Sequence, residues 1–419
     1  MPGLGTARKQ LHVVLLNQAF HPDVVATAQM GKDLGDALVA RGHRVSAIAS
    51  RSIYGQRGAS LPKRESIPVP GGTIEAYRVG MSLFGKAGIA ARIADFALFY
   101  VMALWRLLLI PRPDVVVCYT TPPFIGLAGI VSRWLRGSRA VCWVMDLYPD
   151  LPVACGVMRP DALPTRAFER VNRFILRHSD RGVVLGRCMR DRVLAKGTPA
   201  RRVEFIPVWA DLRGVEPVPH EGNPYRSRWA PRGEFVVMYS GNFGLGHDAR
   251  TIIEAMRLLK NEPGIRFVFI GGGKRRQEVE AAVRDHALAG VVYEDYVPRE
   301  ELSKSLSAGD VHLISLKEGV EGIMVPSKVY GIMGVARPSL FVGHPTSEIA
   351  RVLEESASGL TIREGDAPGL ARAIVDLKSD PSRRRAMGEA GRTAIAGRYD
   401  RETACRQWAE LLETLGATP

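Results

Sequence analysis

The sequence predicts an α/β protein of two doubly wound domains facing a cleft. Three observations carry that prediction. Short apolar runs alternate with helical stretches in both halves of the chain. A segment without apolar period separates the halves at residues 214–234. The 419 residues also exceed what one core fills, since single cores stop growing at about 250 to 300 residues.

The elements follow in order. "LHVVLLN" reads as a buried strand, and "TAQMGKDLGDALVARGH" sets Met30, Leu34, Leu38 and Val39 at helical spacing before stopping at Gly42. "RVSAIAS" is the next strand. This βαβ order requires a parallel sheet covered by helices. The alternation continues through "DVVVCYT", "IGLAGIVSRWLRG", "RAVCWVMD" and "RGVVLG", so residues 1–213 form a Rossmann-like domain. The stretch "GVEPVPHEGNPYRSRWAPRGE", residues 214–234, is rich in Pro, Gly and charge and reads as a linker. The pattern restarts over residues 235–398 with "FVVMYSG", "ARTIIEAMRLLKN", "RFVFIGGG", "QEVEAAVRDHALAG", "VVYEDYV", "EELSKSLSAG" and "VHLISL", a second Rossmann-like domain. Helices are expected over 369–378 and, unbroken, over 381–415, with residues 399–419 returning to the first domain. Ligands of such folds bind at the carboxyl ends of the strands, so the site is sought in the strand-to-helix loops of the cleft.

Composition narrows the function classes. With 46% hydrophobic and 24% charged residues the chain is ordinary for a globular protein. Five cysteines without a CxxC fit a reducing compartment better than a disulfide framework or a zinc site. The apolar run behind Arg8 and Lys9 is short and reads as a strand rather than a leader. The longest apolar stretch, residues 96–110, is interrupted by Arg106 and falls short of the ~20 residues a spanning helix needs. The net charge of +14 is unevenly placed: residues 1–200 hold 27 Lys+Arg against 13 Asp+Glu, leaving 30 of each for the remainder. That asymmetry gives one domain an anionic partner, nucleic acid or an anionic membrane face, or else a solvated basic surface.

Chemistry is sought in six loops. "SGNFGLGHD" has three glycines that let backbone amides approach a ligand, among them Gly241 and Gly244, with Asn242 and His247 beside them. "GGGKRR" offers Lys274 to a phosphate, or is simply a tight turn. "YVPREE" carries Tyr296 and Val297 at a strand end. In "GIMVPSKVYG" Pro326 suits a first helical turn, Ser327 offers a hydroxyl, and Lys328 sits where the helix dipole disfavours a cation. That mismatch makes a ligand for Lys328 the better reading. In the first half, "FHPDVVATAQ" joins a strand to a helix, and "VMDLYPD" sets Asp146 just beyond a strand, a placement suited to catalysis. For Asp150 a role in starting a helix suffices. No GxSxG, HExxH or P-loop occurs, and no metal cluster is credible, so charge must be met by amides and cations.

Taken in order, "FHPDVVATAQMGKDLGDALVARGHRV", "VMDLYPD", "YSGNFGLGHD", "VFIGGG", "YVPREEL", "AGDVHLISL" and "VPSKVYGIMGVARPSLFVG" resemble the GT-B glycosyltransferases of family 4. Within it they resemble the branch that builds O-antigen, colanic acid and other envelope polysaccharides. The resemblance covers nearly the whole chain. It implies a retaining, metal-independent enzyme without cofactor that moves a sugar from a nucleotide diphosphate sugar, usually a UDP-sugar, to a lipid-linked (polyprenyl diphosphate) or saccharide acceptor. By that resemblance Tyr296 and Val297 lie near the base. "SGNFG" and residues Met324, Val325, Pro326 and Ser327 lie near the diphosphate, and Asp146 lies by the transferred sugar. Relatives carry two glutamates eight residues apart, where this chain has Ile323 and Gly331. Glu321 is the nearest acid, and the charge of the diphosphate falls to His247, Lys274 and Lys328. The basic first half then faces the anionic inner surface of the plasma membrane rather than nucleic acid, with residues 92–112 as an interfacial helix or a core helix. A cytoplasmic, peripherally bound enzyme is expected. A nucleotide-sugar epimerase of the same fold and a silent nucleotide-sugar-binding scaffold are the alternatives.

Overall fold

A computed structural model describes residues 9–23, 25–53, 60–80, 89–209 and 214–417. Arg8 and the side chain of Arg92 lie outside what is described. The first sheet comprises β1 (His12–Leu16), β2 (Arg44–Ser50), β3 (Arg64–Val69), β4 (Gly72–Val79), β5 (Val115–Cys118), β6 (Arg139–Val144), β7 (Arg181–Val184) and β8 (Val203–Phe205). Their order is β3-β4-β2-β1-β5-β6-β7-β8, and only the β3–β4 pair is antiparallel. That hairpin has no apolar alternation strong enough to mark it in the sequence; its turn falls at Pro70 and Gly71.

The second sheet comprises β9 (Phe235–Ser240), β10 (Ile265–Ile270), β11 (Val291–Glu294), β12 (Val311–Ser315), β13 (Ser339–Val342) and β14 (Gly359–Ile362). It is parallel throughout, in the order β11-β10-β9-β12-β13-β14. Near-continuous Val, Ile, Leu and Phe runs buried on both faces explain the parallel pairing in both sheets. The chain reverses direction across the sheet between β1 and β5, and again between β9 and β12, and these two switch points open on the cleft.

Two expected elements differ. The stretch from 214 to 234 is not featureless: Asn223 caps a helix, Pro224–Trp229, by accepting from the Tyr225 and Arg226 amides, and Trp229 is fully buried against the second sheet. A helix this short hides its period, so the sequence reads as loop. The expected unbroken C-terminal helix is two, Pro381–Ile395 and Arg401–Ala417, because Gly397 takes φ +79 and Asp400 accepts from Thr403 N at 2.8 Å to start the second. That last helix lies on the first domain. Trp408 packs 4.3 Å from Trp143, Glu413 receives Arg41 and His43, and Arg401 pairs with Asp33 at 3.0 Å.

One apolar cluster runs from the first sheet through Trp408 to Ile323, Val329 and Tyr330 of the second domain. A buried carboxylate, Glu348, reinforces the junction by accepting from Arg187 N at 2.6 Å and pairing with its guanidinium at 2.9 Å. The domains therefore meet over a packed floor, with the cleft above it.

Candidate functional site

The floor of the cleft is set by one cross-domain hydrogen bond: Leu147 N donates to the Ile323 carbonyl at 2.9 Å. It brings the loop after β6, which carries Asp146, against the loop after β12, which carries Met324 to Lys328. Thr120, beyond β5, fixes the first loop, its hydroxyl oxygen accepting from Met145 N at 3.1 Å and Asp146 N at 3.0 Å. Asp146 keeps an edge open to the cleft, yet burial of its carboxyl raises the pKa to about 6.

On the opposite side, Lys328 opens the helix Lys328–Gly334, with Ser327 ahead of it making no capping bond. Its Nζ is buried and has no hydrogen-bond partner among the described residues. It sits 3.6 Å above the Tyr239 ring and beside Gly241, whose added Cβ would lie 3.6 Å away. Burial lowers its pKa to about 7. A buried ammonium without a partner is costly, and the cation–π contact offsets only part of that cost. The geometry therefore leaves an anion's place open between Lys328 and the glycine loop.

The loops after β9 and β10 are interleaved, backbone against backbone. Gly271, at φ +99, would put a Cβ 2.8 Å from the Gly241 carbonyl, and Gly273, at φ +121, would put one 2.4 Å from the Phe243 carbonyl. Phe243 N donates to the Gly272 carbonyl at 2.7 Å. Gly246, in the same β9 loop, approaches Met324 so closely that a Cβ would lie 3.0 Å from its Sδ. Four loops from both domains thus converge.

The expected residues divide. Asp146, Gly241, Asn242, Gly244, Met324, Val325, Pro326, Ser327 and Lys328 belong to this converging set. Gly331 lies a turn into the helix, where Leu306 is its neighbour. Tyr296 is 64% exposed and lies across Gly271 and Gly272, presenting a ring face at the cleft edge, while Val297 packs beneath; the strand itself ends earlier, at Glu294.

Three charge assignments are revised. His247 is buried, shares a hydrogen bond between Nδ1 and the Ser315 carbonyl, and has its pKa lowered to about 3 by burial and by Lys328. It is neutral at pH 7, and with Nδ1–H committed to Ser315 its Nε2 offers only a lone pair, so it anchors the loop rather than neutralising phosphate. Glu321 turns back on its own loop, accepting from Gly319 N at 2.8 Å and lying 3.7 Å from Arg192. Lys274 is exposed at the start of its helix, whereas Arg275, paired with Glu278 at 2.7 Å, also donates to the Leu245 carbonyl, and Arg276 donates to the Gly271 carbonyl. Lys317 joins the same loops through its backbone, its N donating to the Gly246 carbonyl at 2.9 Å. Arg275 stands out in the sequence only as part of "GGGKRR" and Lys317 not at all, because their convergence arises from strand order. Among the described residues, no group of three His, Cys, Asp or Glu is placed to hold a metal.

Two facing α/β domains, each a mainly parallel sheet covered by helices, with glycine loops of one and the Asp146 loop of the other meeting at the cleft, define a GT-B type of protein. The family models agree: residues 27–209 match the glycosyl transferase 4-like domain and residues 234–380 match the glycosyl transferases group 1. The chain belongs to this glycosyltransferase family. It is 33% identical to the probable glycosyltransferase WbjE of Pseudomonas aeruginosa over 266 residues, 64% of this chain and 66% of that protein. It is 27% identical to the amylovoran biosynthesis glycosyltransferase AmsK of Erwinia amylovora over 55% of each chain. Among solved structures, the sucrose-phosphate synthase of Thermosynechococcus elongatus superposes with a TM-score of 0.78 at 18% identity, covering 98% of this chain and all of that one.

Proposed function

We propose that the protein transfers a sugar, with retained configuration and without a metal, from a nucleotide diphosphate sugar to a lipid-linked acceptor in envelope polysaccharide synthesis. UDP-sugar is the donor the motif resemblance favours, and AmsK, a biosynthetic glycosyltransferase, supports the pathway class. One observation carries the reading: the buried Lys328 ammonium, without a hydrogen-bond partner among the described residues, beside the Gly241 loop. As the bond from the sugar's anomeric carbon to the phosphate oxygen breaks, negative charge grows on the departing diphosphate. A cation held ready in a dry site stabilises that charge. Arg275 and the loop amides add to it. Across the cleft, the Asp146 carboxylate orients the acceptor hydroxyl and takes up its proton as the new glycosidic bond forms.

The acceptor side fits the same reading. The helix Ile89–Leu109 buries Phe99, Ala103 and Leu107 in the core and leaves Val101, Met102, Trp105 and Leu109 open, with Trp134 and Leu135 exposed on the neighbouring helix Gly126–Arg136. The helix is thus core on one face and free on the other. None of the described helices is long and apolar enough to cross a membrane. An apolar face within the basic half matches the anionic inner surface of the plasma membrane.

The test is a donor screen with purified protein and a sugar-bearing lipid diphosphate. Product with retained anomeric configuration is expected. Isomerised donor in the absence of acceptor would establish an epimerase instead, and tight donor binding without turnover a scaffold.

A further inference from the structure

Behind Asp146 lies a second concavity, a groove of about 620 Å³ enclosed by the helices Asp150–Ala154, Leu163–His178 and Arg187–Ala195. Its wall carries Arg166, Arg170, Arg173, Arg192 and Lys196 against the carboxylates Asp150 and Glu169, an excess of three positive charges. The ion pairs are unevenly shared. Lys196 holds Asp150 at 2.8 Å and Glu169 at 2.6 Å, Arg173 also holds Glu169 at 2.6 Å, and Arg192 serves the Glu321 loop. Both carboxylates are thereby consumed. The guanidinium groups of Arg166 and Arg170 have no hydrogen bond or ion pair among the described residues, and both residues are exposed.

Their spacing gives this meaning. Positions 166, 170 and 173 fall on one face of the helix Leu163–His178, so three guanidinium groups line up along the groove. Like charges at that spacing repel, and a helix gains nothing from such a stripe unless an anion shares it. Guanidinium groups in a row suit an extended, multiply charged phosphate better than a single carboxylate, since each can meet phosphate oxygens bidentately. Asp150, on its rim, lies four residues after Asp146, within about 14 Å along the chain at full extension. At the start of the same helix, Leu163 is an exposed apolar residue on the face that carries Arg166 and Arg170.

We propose that this groove seats the diphosphate of the lipid-linked acceptor, with the sugar directed toward Asp146 and the lipid leaving over Leu163. The assignment rests on the transferase reading above and adds to it the place where the acceptor's charge is held. It also gives part of the first domain's excess positive charge a ligand: a second diphosphate, distinct from the donor's, binds there.

The experiment uses the full chain and geranyl diphosphate as probe, titrated by calorimetry at low salt against the wild type and the Arg166→Glu/Arg170→Glu variant. Wild type is expected to bind, and the variant to bind about tenfold more weakly or worse. Arg166→Lys/Arg170→Lys should fall between the two, since lysine keeps the charge and loses the bidentate contact, and nucleotide binding should be unchanged in both variants because the side chains are exposed and lie outside the donor loops. Absence of saturable binding by the wild type, or equal affinity in the charge-reversed variant, overturns the assignment. So does a loss confined to phosphatidylglycerol vesicles, which would make the stripe a reader of bilayer headgroups. No sugar transfer enters this measurement, so a failure of the transferase reading registers separately, in the donor screen.

Discussion

At the residue scale, burial moves the pKa values of the two groups that face each other across the cleft toward neutral pH from opposite sides. The Asp146 pKa is raised to about 6 by burial, so the folded state binds its proton more tightly than the unfolded state does. The stability from that proton is present below pH ~4 and lost as pH rises through about 6. Asp146→Asn should therefore stabilise the protein at pH 7.5 by about 1 to 3 kcal/mol, raising the melting temperature by several degrees, while turnover falls. The gain should vanish at pH 4; a variant that melts lower than wild type at pH 7.5 contradicts the assignment. Lys328, at about 7, gives the opposing limb. In the free enzyme kcat/KM should rise through pH 6 and fall above pH 7. Bound diphosphate raises the Lys328 pKa, so the alkaline limb of kcat should move upward. Lys328→Ala should lower kcat/KM by roughly 10²- to 10³-fold and erase that limb; a limb that survives belongs to another group. Asp146 and Lys328 are legible in the sequence because each stands just past a strand or at a helix start. Arg275 and Lys317 are not, since only packing decides which members of "GGGKRR" turn inward.

At the element scale, the two glycine loops of the second domain work as one unit. Gly273 at φ +121 lies against the Phe243 carbonyl, so Gly273→Ala should cost about 1 to 3 kcal/mol from backbone strain alone and weaken nucleotide binding as the loops part. Melting curves and nucleotide titration read both effects. Gly331 makes the contrast: it is a regular helical position with Leu306 at ordinary contact distance, 3.5 Å, so Gly331→Ala should raise stability by up to about 1 kcal/mol. Equal destabilisation by the two substitutions would mean that loop interleaving is not what requires Gly273. The glycine clusters are visible in the sequence, but their interlocking is not, because β9 and β10 become neighbours only when the sheet forms.

At the scale of the whole molecule, the apolar outer face of the helix Ile89–Leu109 and the basic first half predict reversible membrane binding. Trp105 is 65% exposed, so Trp105→Glu should leave folding intact and reduce binding to vesicles containing phosphatidylglycerol, and salt should weaken binding by the wild type. Sedimentation with such vesicles measures both. Unchanged binding by the variant would assign the face another role. The sequence by itself determined the two-domain α/β architecture, the order of the loops and the charge asymmetry, because apolar periodicity, glycine placement and composition are local properties. Only the tertiary structure decided that His247 is neutral, that Glu321 is spent on its own loop and Arg192, that Lys328 has no hydrogen-bond partner among the described residues, and that Arg166 and Arg170 line one groove. Each of those facts depends on burial and on neighbours more than a hundred residues away or on separate elements, and a charge's meaning is set by what surrounds it.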